Sequence, residues 1–322
     1  MKRRTFIALL GSLAPCSGMV RAQHPERRRV ILWVSTEAQP DPFIAGFREG
    51  MKEHGYEEGR NLAFVLRYAP GDPAAVQAML PELLTVPVDL IVSSGPAIQA
   101  MRTTSGKPVL FAISGDPVEL GLAQSLSRPG RNFTGGTFLS LDLAQKRVQL
   151  LRELLPGLRT LAVLSNTTHP GEQAEHDATQ KAADALSIRL AYVPFRSGPE
   201  LDDALTRVRG ASPDAVLVFP EGVTMVHRAR IAAFARAHRL PSMFGWREYC
   251  DAGGLASYGA NQRATYKRLA AYADRLLGGE SPAELPIEQP TAFELVINLR
   301  TAKTLGLEIP PALLTRADEV IE

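Results

Sequence analysis

The histidines, the serines next to glycines and the glycine-rich turns are the residues of this sequence that could support catalysis or metal binding. None of the six histidines has a second histidine four residues away, the spacing that places two zinc ligands on one helix face. Ser257 lies three residues after Gly254, which misses the G-x-S-x-G pattern of a nucleophile elbow. Neither a P-loop nor a G-x-G-x-x-G fingerprint occurs. We therefore expect no catalytic residue, no metal site and no cofactor, and an α/β hydrolase-type enzyme is the disfavoured alternative.

Polar and aromatic residues near the ends of apolar runs favour the binding of a small molecule instead. At Ser94-Gly95-Pro96 a hydroxyl and backbone N–H groups could face a ligand carboxylate, or Ser94 could simply cap a helix. Glu221 is the candidate partner of a ligand ammonium group, with a solvated surface glutamate as the alternative. Trp246 and Tyr258 could stack on an aromatic ligand or belong to the core.

Five further polar residues occupy comparable places along the chain. Ser35 and Thr36 end the first apolar run, and Asp116 could either accept a hydrogen bond from a ligand or cap the next helix. Thr137 follows a glycine-rich passage, and Asn166 follows another apolar run. The predicted ligand-binding set is Ser35, Thr36, Ser94, Gly95, Pro96, Asp116, Thr137, Asn166, Glu221, Trp246 and Tyr258.

The elements that must position these residues are short apolar runs that alternate with amphipathic segments, a pattern typical of βα units and parallel sheets. Strands are predicted at residues 30–34, 62–68, 90–93, 109–113, 160–165, 190–195, 215–219 and 242–244. Helices are predicted at residues 42–54, 73–85, 96–104, 142–155, 171–186, 199–209, 224–238 and 261–277, and the tail should hold an extended segment and two short helices.

This alternation predicts an α/β protein of two Rossmann-like lobes with parallel sheets, joined by a multi-strand hinge. Glycine-rich segments at residues 130–136 and 253–259 are the expected crossings. We assign residues 28–135 and about 259–285 to lobe 1, residues 136–258 to lobe 2, and residues 286–322 to a segment that crosses back near the hinge. Ligands bind beyond the carboxyl ends of parallel strands, so this arrangement favours hinge closure around a ligand.

The first 22 residues have the pattern of an export signal. Basic residues precede an apolar run too short to span a bilayer, and Ala22 ends a cleavage site. Arg3-Arg4 resembles a twin-arginine motif, with an ordinary secretory signal as the alternative. Pro15 disfavours a lipid anchor at Cys16, and removal of the signal would leave Cys250 without a disulfide partner. We expect a periplasmic mature chain without a membrane span.

The charge of the chain excludes one class of partner. The formal net charge is +2, and removal of the four basic residues of the signal, which contains no acidic residue, changes it to −2. A nucleic-acid-binding protein would need clustered basic residues on the mature domain. We therefore expect no nucleic-acid partner.

Several strings of residues, in this order and spacing, resemble one family over essentially the whole mature chain. They are Ser94-Gly95-Pro96-Ala97-Ile98-Gln99, Ser114-Gly115-Asp116-Pro117-Val118, Asn132-Phe133-Thr134-Gly135, Gly254-Leu255-Ala256-Ser257-Tyr258-Gly259, Asn298-Leu299-Arg300-Thr301-Ala302-Lys303 and Ile309-Pro310-Pro311-Ala312-Leu313-Leu314. The sequence resembles the ABC transporter substrate-binding proteins of the type I periplasmic fold, in the group that includes tryptophan and tyrosine binders.

The resemblance implies three crossings between the lobes, no catalysis, and delivery of a small-molecule ligand to an ABC permease in the inner membrane. An amino acid or an aromatic carboxylate is the expected ligand. An extracytoplasmic sensor that presents its solute to a receptor is the alternative function, because the sequence does not distinguish sensing from transport.

Overall fold

The computed structural model describes residues 27–37, 39, 41–102, 106–138, 141–169 and 171–322. The predicted export signal, its twin-arginine motif and Cys16 lie outside these residues. Within the part of the chain that the structure describes, no helix has both the length and the apolar character needed to cross a membrane.

The first lobe is built on a five-stranded parallel sheet in the order β2-β1-β3-β4-β5. Its elements are β1 (Arg29–Ser35), α1 (Pro42–Glu53), β2 (Leu62–Tyr68), α2 (Pro73–Leu83), β3 (Leu90–Ser94), α3 (Ile98–Met101), β4 (Val109–Ile113) and β5 (Phe133–Thr137). Both α1 and α2 start at a proline, where the missing N–H costs nothing, and Asp41 and Asp72 cap them.

Two segments of this lobe differ from the prediction. The helix expected at residues 96–104 begins instead with a 3₁₀ turn, Gly95–Ala97, and α3 is a single turn. The glycine-rich passage at residues 130–136, expected as a crossing, supplies most of β5. A β-carbon on Gly135 would lie 2.0 Å from the Phe111 carbonyl oxygen of β4, so only glycine allows this strand pair to approach so closely.

The second lobe is built on a seven-stranded sheet in the order β12-β11-β10-β9-β8-β6-β7, parallel except for the β10/β11 pair. The remaining elements are α4 (Leu141–Leu154), β6 (Thr160–Asn166), α5 (Glu172–Ala185), β7 (Arg189–Phe195), α6 (Leu201–Gly210), β8 (Ala215–Val218), α7 (Gly222–Val226), α8 (Arg228–Ala237), β9 (Ser242–Phe244), α9 (Arg247–Asp251), β10 (Ala256–Gly259), α10 (Gln262–Leu277), β11 (Glu294–Asn298), α11 (Leu299–Leu305), α12 (Pro311–Arg316) and β12 (Glu319–Ile321).

Here too the structure corrects some predicted elements. The single helix expected at residues 224–238 is two helices, α7 and α8, which meet at His227. The segment at residues 253–259, expected as a hinge crossing, largely forms β10 inside the sheet. The tail contains the two expected short helices, and it also contributes β11 and β12 to the second sheet.

The chain passes between the sheets three times. It leaves β5 for α4, returns from β10 to α10, and passes a last time after Glu288, whose backbone is hydrogen-bonded to Gly135 and Thr137 before the chain enters β11. Helix α10 packs on α1 of the first lobe at Gly46 and Gly50, where added β-carbons would lie 2.5 and 2.3 Å from carbonyl oxygens of α10. The carboxyl ends of the two sheets therefore face each other.

Candidate functional site

A small cavity lies between the carboxyl ends of the two sheets and receives residues from both lobes. Its volume is about 20 Å³, which is room for about one water molecule. The lining residues are Glu37, Phe43, Ser94, Gly95, Pro96, Ala112, Ile113, Ser114, Phe138, His169, Glu221, Gly222, Trp246, Gln262 and Tyr266.

Four rings, called here the aromatic cluster, form the apolar part of the lining: Phe43, Phe138, Trp246 and Tyr266. Phe43 on α1 is stacked on Tyr266 of α10 at 4.9 Å between ring centroids. Trp246, which follows β9, meets Phe43 and Phe138 edge-on at 6.2 and 6.3 Å. These contacts join the second lobe to the first through ring faces and edges, geometries that suit the aromatic quadrupole.

The serines at the ends of β1 and β3 form one hydrogen-bonded chain. The Ser94 hydroxyl donates to the Ser35 hydroxyl oxygen at 3.1 Å, and that oxygen accepts from the Glu37 backbone N–H at 3.0 Å. Ser94 forms no helix cap. Gly95 turns the chain away from β3 with a φ of 56°, a left-handed conformation that favours glycine. Thr36 is buried, and its hydroxyl faces Gly95 and Gly222.

The Glu221 carboxylate is buried at the end of β8 and caps α7. It accepts from the backbone N–H groups of Val223 and Thr224 and from the Asn166 side-chain amide. Burial raises the pKa of Glu221 to about 7 even though these three donors favour the ionised form. Both carboxylate oxygens are thus already occupied within the second lobe.

Glu37 is a second buried carboxylate in the cavity, from the loop after β1. Within the described part of the chain its carboxylate accepts no hydrogen bond, and the neighbouring charges that act on it are those of Asp41, Glu221, Arg228 and Glu248. Burial, with a smaller contribution from the nearby Asp41 charge, raises the pKa of Glu37 well above its usual range. Glu37 was not among the residues predicted from the sequence.

Ser114 and His169 connect the lobes directly. His169 Nδ1 accepts from the Gly171 backbone N–H at 2.9 Å, so the ring proton of the neutral imidazole lies on Nε2. Nε2 therefore donates to the Ser114 hydroxyl oxygen at 2.6 Å. Burial lowers the pKa of His169 to about 4, which keeps the ring neutral near neutral pH.

Gln262, the first residue of α10, has an unusual environment. Its side chain is 1% exposed and lines the cavity. Neither its amide oxygen nor its amide nitrogen has a hydrogen-bond partner among the described residues. A buried primary amide without partners costs about 1–3 kcal/mol, so this position is under strain that a ligand can relieve.

The structure brings only part of the predicted set to the cavity. Ser94, Gly95, Pro96, Glu221 and Trp246 line it, and Ser35, Thr36 and Asn166 lie directly behind these residues.

Three predicted residues lie elsewhere. Asp116 accepts from the Val118 backbone N–H at 2.7 Å and acts as a local cap. The Thr137 hydroxyl donates to the Gly115 carbonyl oxygen, and Tyr258 packs on Phe293 within the second lobe.

Ten of the lining residues were not predicted from the sequence: Glu37, Phe43, Ala112, Ile113, Ser114, Phe138, His169, Gly222, Gln262 and Tyr266. Phe43 and Gln262 belong to helices, and their approach to the cleft depends on how α1 and α10 pack. Glu37 carried a usable signal, since it lies three residues after the end of the strand predicted at residues 30–34. Among the described residues, no group of three or more His, Cys, Asp and Glu side chains could hold a metal ion.

The comparisons with known proteins agree with this architecture. The family model described as ABC transporter substrate binding protein matches residues 29–321. A tyrosine-binding protein of Clostridioides difficile (strain R20291) is 24% identical over 271 residues, which cover 83% of this chain and 77% of that protein.

Solved structures give the same result. A conserved domain protein of Vibrio cholerae superposes with a TM-score of 0.85 at 25% identity, over 91% of this chain and 100% of that chain. An ABC domain in complex with L-Trp from Streptococcus pneumoniae gives 0.84 at 24% identity, over the same shares. A ligand-free, open substrate binding protein with adhesive properties from Clostridium difficile gives 0.64 at 23% identity, over 91% and 99%. The predicted type I periplasmic binding fold is confirmed.

Proposed function

The chain belongs to the ABC transporter substrate binding protein family, and from this premise we propose that it traps a small aromatic molecule between its lobes and delivers it to an ABC permease. The observation that carries the proposal is the aromatic cluster. Trp246 from the second lobe meets Phe43, Phe138 and Tyr266 where the two sheets face each other. A flat ring inserted among these side chains would contact both lobes at once.

Contact with both lobes is what allows a ligand to favour the closed state. A ligand shifts the equilibrium between open and closed forms only by its difference in affinity for the two. The cavity of about 20 Å³ is smaller than any amino acid, so the lobes separate to admit the ligand and then close on it.

The place of action in this proposal is the periplasm. The basic and apolar N-terminal pattern would direct export, by the twin-arginine route if Arg3-Arg4 is read by that machinery, and the mature chain would meet its permease at the inner membrane. The family membership supports the permease as partner.

The Ser114–His169 pair deserves comparison with a hydrolase because a serine and a histidine lie within hydrogen-bond distance. A catalytic histidine must accept the proton of the serine hydroxyl. His169 Nε2 instead carries the proton and donates it, because Nδ1 is held by the Gly171 N–H. This tautomer opposes a general-base role, and it suits a structural contact between the lobes.

The test is ligand binding by the mature chain, residues 23–322, measured by thermal shift and calorimetry with L-tryptophan, L-tyrosine and the non-aromatic L-leucine. We expect at least one aromatic compound to raise the unfolding temperature, and L-leucine to have a smaller effect. Trp246→Ala should weaken binding by about tenfold or more, since it removes a large buried contact area. Phe293→Ala, outside the cavity, should not. If L-tryptophan, L-tyrosine, tryptamine and 3-(indol-3-yl)propanoate all fail to bind, the proposal is wrong.

A further inference from the structure

We propose that the group recognised in this cavity is a protonated amine, so that the ligand is an aromatic amine that needs no carboxylate; this inference rests on the proposed function. Glu37 is the counter-ion and Gln262 is the hydrogen-bonding partner that orients the ligand nitrogen. Charge, hydrogen bonding and the aromatic lining support this assignment independently.

The charge of the lining has one sign. Glu37 and Glu221 are both carboxylates, and no lysine or arginine among the described residues lines the cavity. The buried guanidinium of Arg147 lies beside Gly245 without lining the cavity, and it is bound to Glu175 at 2.8 Å and to the Tyr258 carbonyl oxygen at 2.9 Å. An anionic ligand would therefore be buried without a charged partner, which is strongly unfavourable.

The carboxylate site expected at Ser94-Gly95-Pro96 does not compensate for this charge. The segment after β3 is a 3₁₀ turn followed by a four-residue helix. So short a helix provides almost no macrodipole, and the Ser94 hydroxyl already donates to Ser35. This end of the cavity offers little to an anion.

Glu37 is the carboxylate free to meet a cation. The oxygens of Glu221 are bound to backbone and Asn166 donors of its own lobe. The Glu37 carboxylate, in a residue 4% exposed, accepts no such hydrogen bond from the described residues and is influenced by them only through burial and charge. An ammonium group placed beside it gains a charge-assisted hydrogen bond in a site shielded from water.

Gln262 is an independent observation that points to a bound polar group. Its amide is buried, lines the same cavity and lacks partners within the described part of the chain. The amide oxygen can accept from a ligand nitrogen, and the amide nitrogen can donate to a further oxygen of the ligand. If Gln262 only filled space, an apolar side chain of similar size would make the folded protein more stable, because it has no polar groups to desolvate.

The aromatic cluster completes the site. Ring faces carry negative quadrupole density, and Trp, Tyr and Phe attract organic cations within about 6 Å of the ring centroid. Phe43, Trp246 and Tyr266 can therefore stabilise the ammonium group as well as the ligand ring.

Binding of an amine should also release a proton. Burial raises the pKa of Glu37 well above its usual range in the ligand-free protein, and an ammonium neighbour would lower that pKa because it favours the ionised form. Affinity for an amine should then increase with pH. The charged and titratable groups that influence Glu37, from each element packed against it, are Asp41, Glu221, Arg228, Glu248, Tyr249 and Tyr266.

The test compares three probes that share one ring system: tryptamine, L-tryptophan and 3-(indol-3-yl)propanoate. Calorimetry with the mature chain should show that tryptamine binds at least as tightly as L-tryptophan. The propanoate, which keeps the carboxylate and lacks the amine, should bind about 100-fold more weakly. Titrations in buffers of different ionisation enthalpy should show proton release with tryptamine.

Two variants and one control assign the roles. Glu37→Gln should weaken tryptamine binding by about 30-fold or more and abolish proton release. Gln262→Leu should raise the unfolding temperature of the ligand-free protein and yet weaken tryptamine binding by about tenfold. Glu172→Gln replaces a buried carboxylate of the second lobe that accepts from the Ser165 hydroxyl, lies outside the cavity and does not act on Glu37, and it should leave the affinity nearly unchanged.

The outcomes separate this inference from the proposed function. Equal binding of the propanoate and tryptamine, or unchanged tryptamine affinity in Glu37→Gln, would overturn the amine assignment and leave an aromatic binding protein. Absence of binding by all three probes would overturn the amine assignment, and if L-tyrosine also fails to bind, the proposed function is overturned as well.

Discussion

The approach of the lobes can be tested at Gly222, the first residue of α7. A β-carbon on this residue would lie 3.0 Å from the Thr36 hydroxyl oxygen, 3.4 Å from Pro96 Cδ and 3.6 Å from a Glu37 carboxylate oxygen. All three atoms belong to the first lobe, whereas Gly222 belongs to the second. Gly222→Ala therefore adds one methyl group where the lobes meet.

The expected cost falls on closure alone. The backbone of Gly222 lies outside the left-handed region, so alanine adopts it without strain. Overpacking by an extra methyl group costs about 1–3 kcal/mol. Because separated lobes relieve the contact, the whole cost opposes the closed state, and ligand affinity should fall by about 5- to 150-fold.

The assays are calorimetry with the tightest-binding aromatic probe and small-angle scattering of the ligand-free protein. Gly222→Ala should bind more weakly and show a larger radius of gyration than the wild type. Gly210→Ala is the matched control in the same lobe, because its added β-carbon meets nothing within 4 Å.

One result would refute the reasoning. If Gly222→Ala binds with wild-type affinity and has the wild-type radius of gyration, the first residue of α7 does not contact Thr36, Glu37 and Pro96 of the first lobe in the closed protein. The arrangement of the cavity would then need revision.

Three further predictions concern stability. Arg147→Met should destabilise the protein by about 3–5 kcal/mol in urea unfolding, because Glu175 is left buried without its partner; an unchanged midpoint would contradict this. Burial lowers the pKa of His169 from its ordinary value of 6.5 to about 4 in the folded protein. The buried neutral ring therefore stabilises the protein by on the order of 3 kcal/mol above pH 6.5, relative to acidic pH, and this part of the free energy of unfolding is lost as the pH falls towards 4. In His169→Gln the free energy of unfolding should change less between pH 4 and 6.5 than in the wild type. An unchanged pH dependence would contradict this assignment to His169. Gly95→Ala should cost about 1 kcal/mol through its positive φ, visible as a lower unfolding temperature that Gly95→Asn partly restores.

The sequence predicted best the strands and the residues at their ends, because these depend on neighbouring residues and on a single sheet. The strands β2, β4 and β9 were predicted with the bounds that the structure has. For the fully buried β4 and β9 the reason is that buried parallel strands are typically apolar along their length, whereas β2 is a partly buried edge strand. The strand-end rule likewise led to Glu221 and Trp246. Strand bounds and strand-end residues can both be predicted without knowing how the two lobes pack.

The rest of the site depends on contacts that no local pattern encodes. Phe43 looks like an ordinary core residue of an amphipathic helix, and it lines the cavity because α10 packs against α1 through Gly46 and Gly50. Tyr258, by contrast, follows the strand-end pattern, but β11 pairs with β10 and keeps its ring within the second lobe. Glu221 was expected to bind a ligand ammonium group, but its carboxylate oxygens already accept hydrogen bonds from backbone N–H groups at the start of α7.

The order of the three crossings has a consequence for biosynthesis. The first lobe lacks α10 until most of the second lobe has been made, and the second sheet lacks β11 and β12 until residues 294–321 have been made. The first half can therefore be completed only after α10 has been synthesised, and the second half only after β12. A premature stop after β10 would leave two incomplete halves with exposed apolar surfaces, a natural substrate for quality-control proteases.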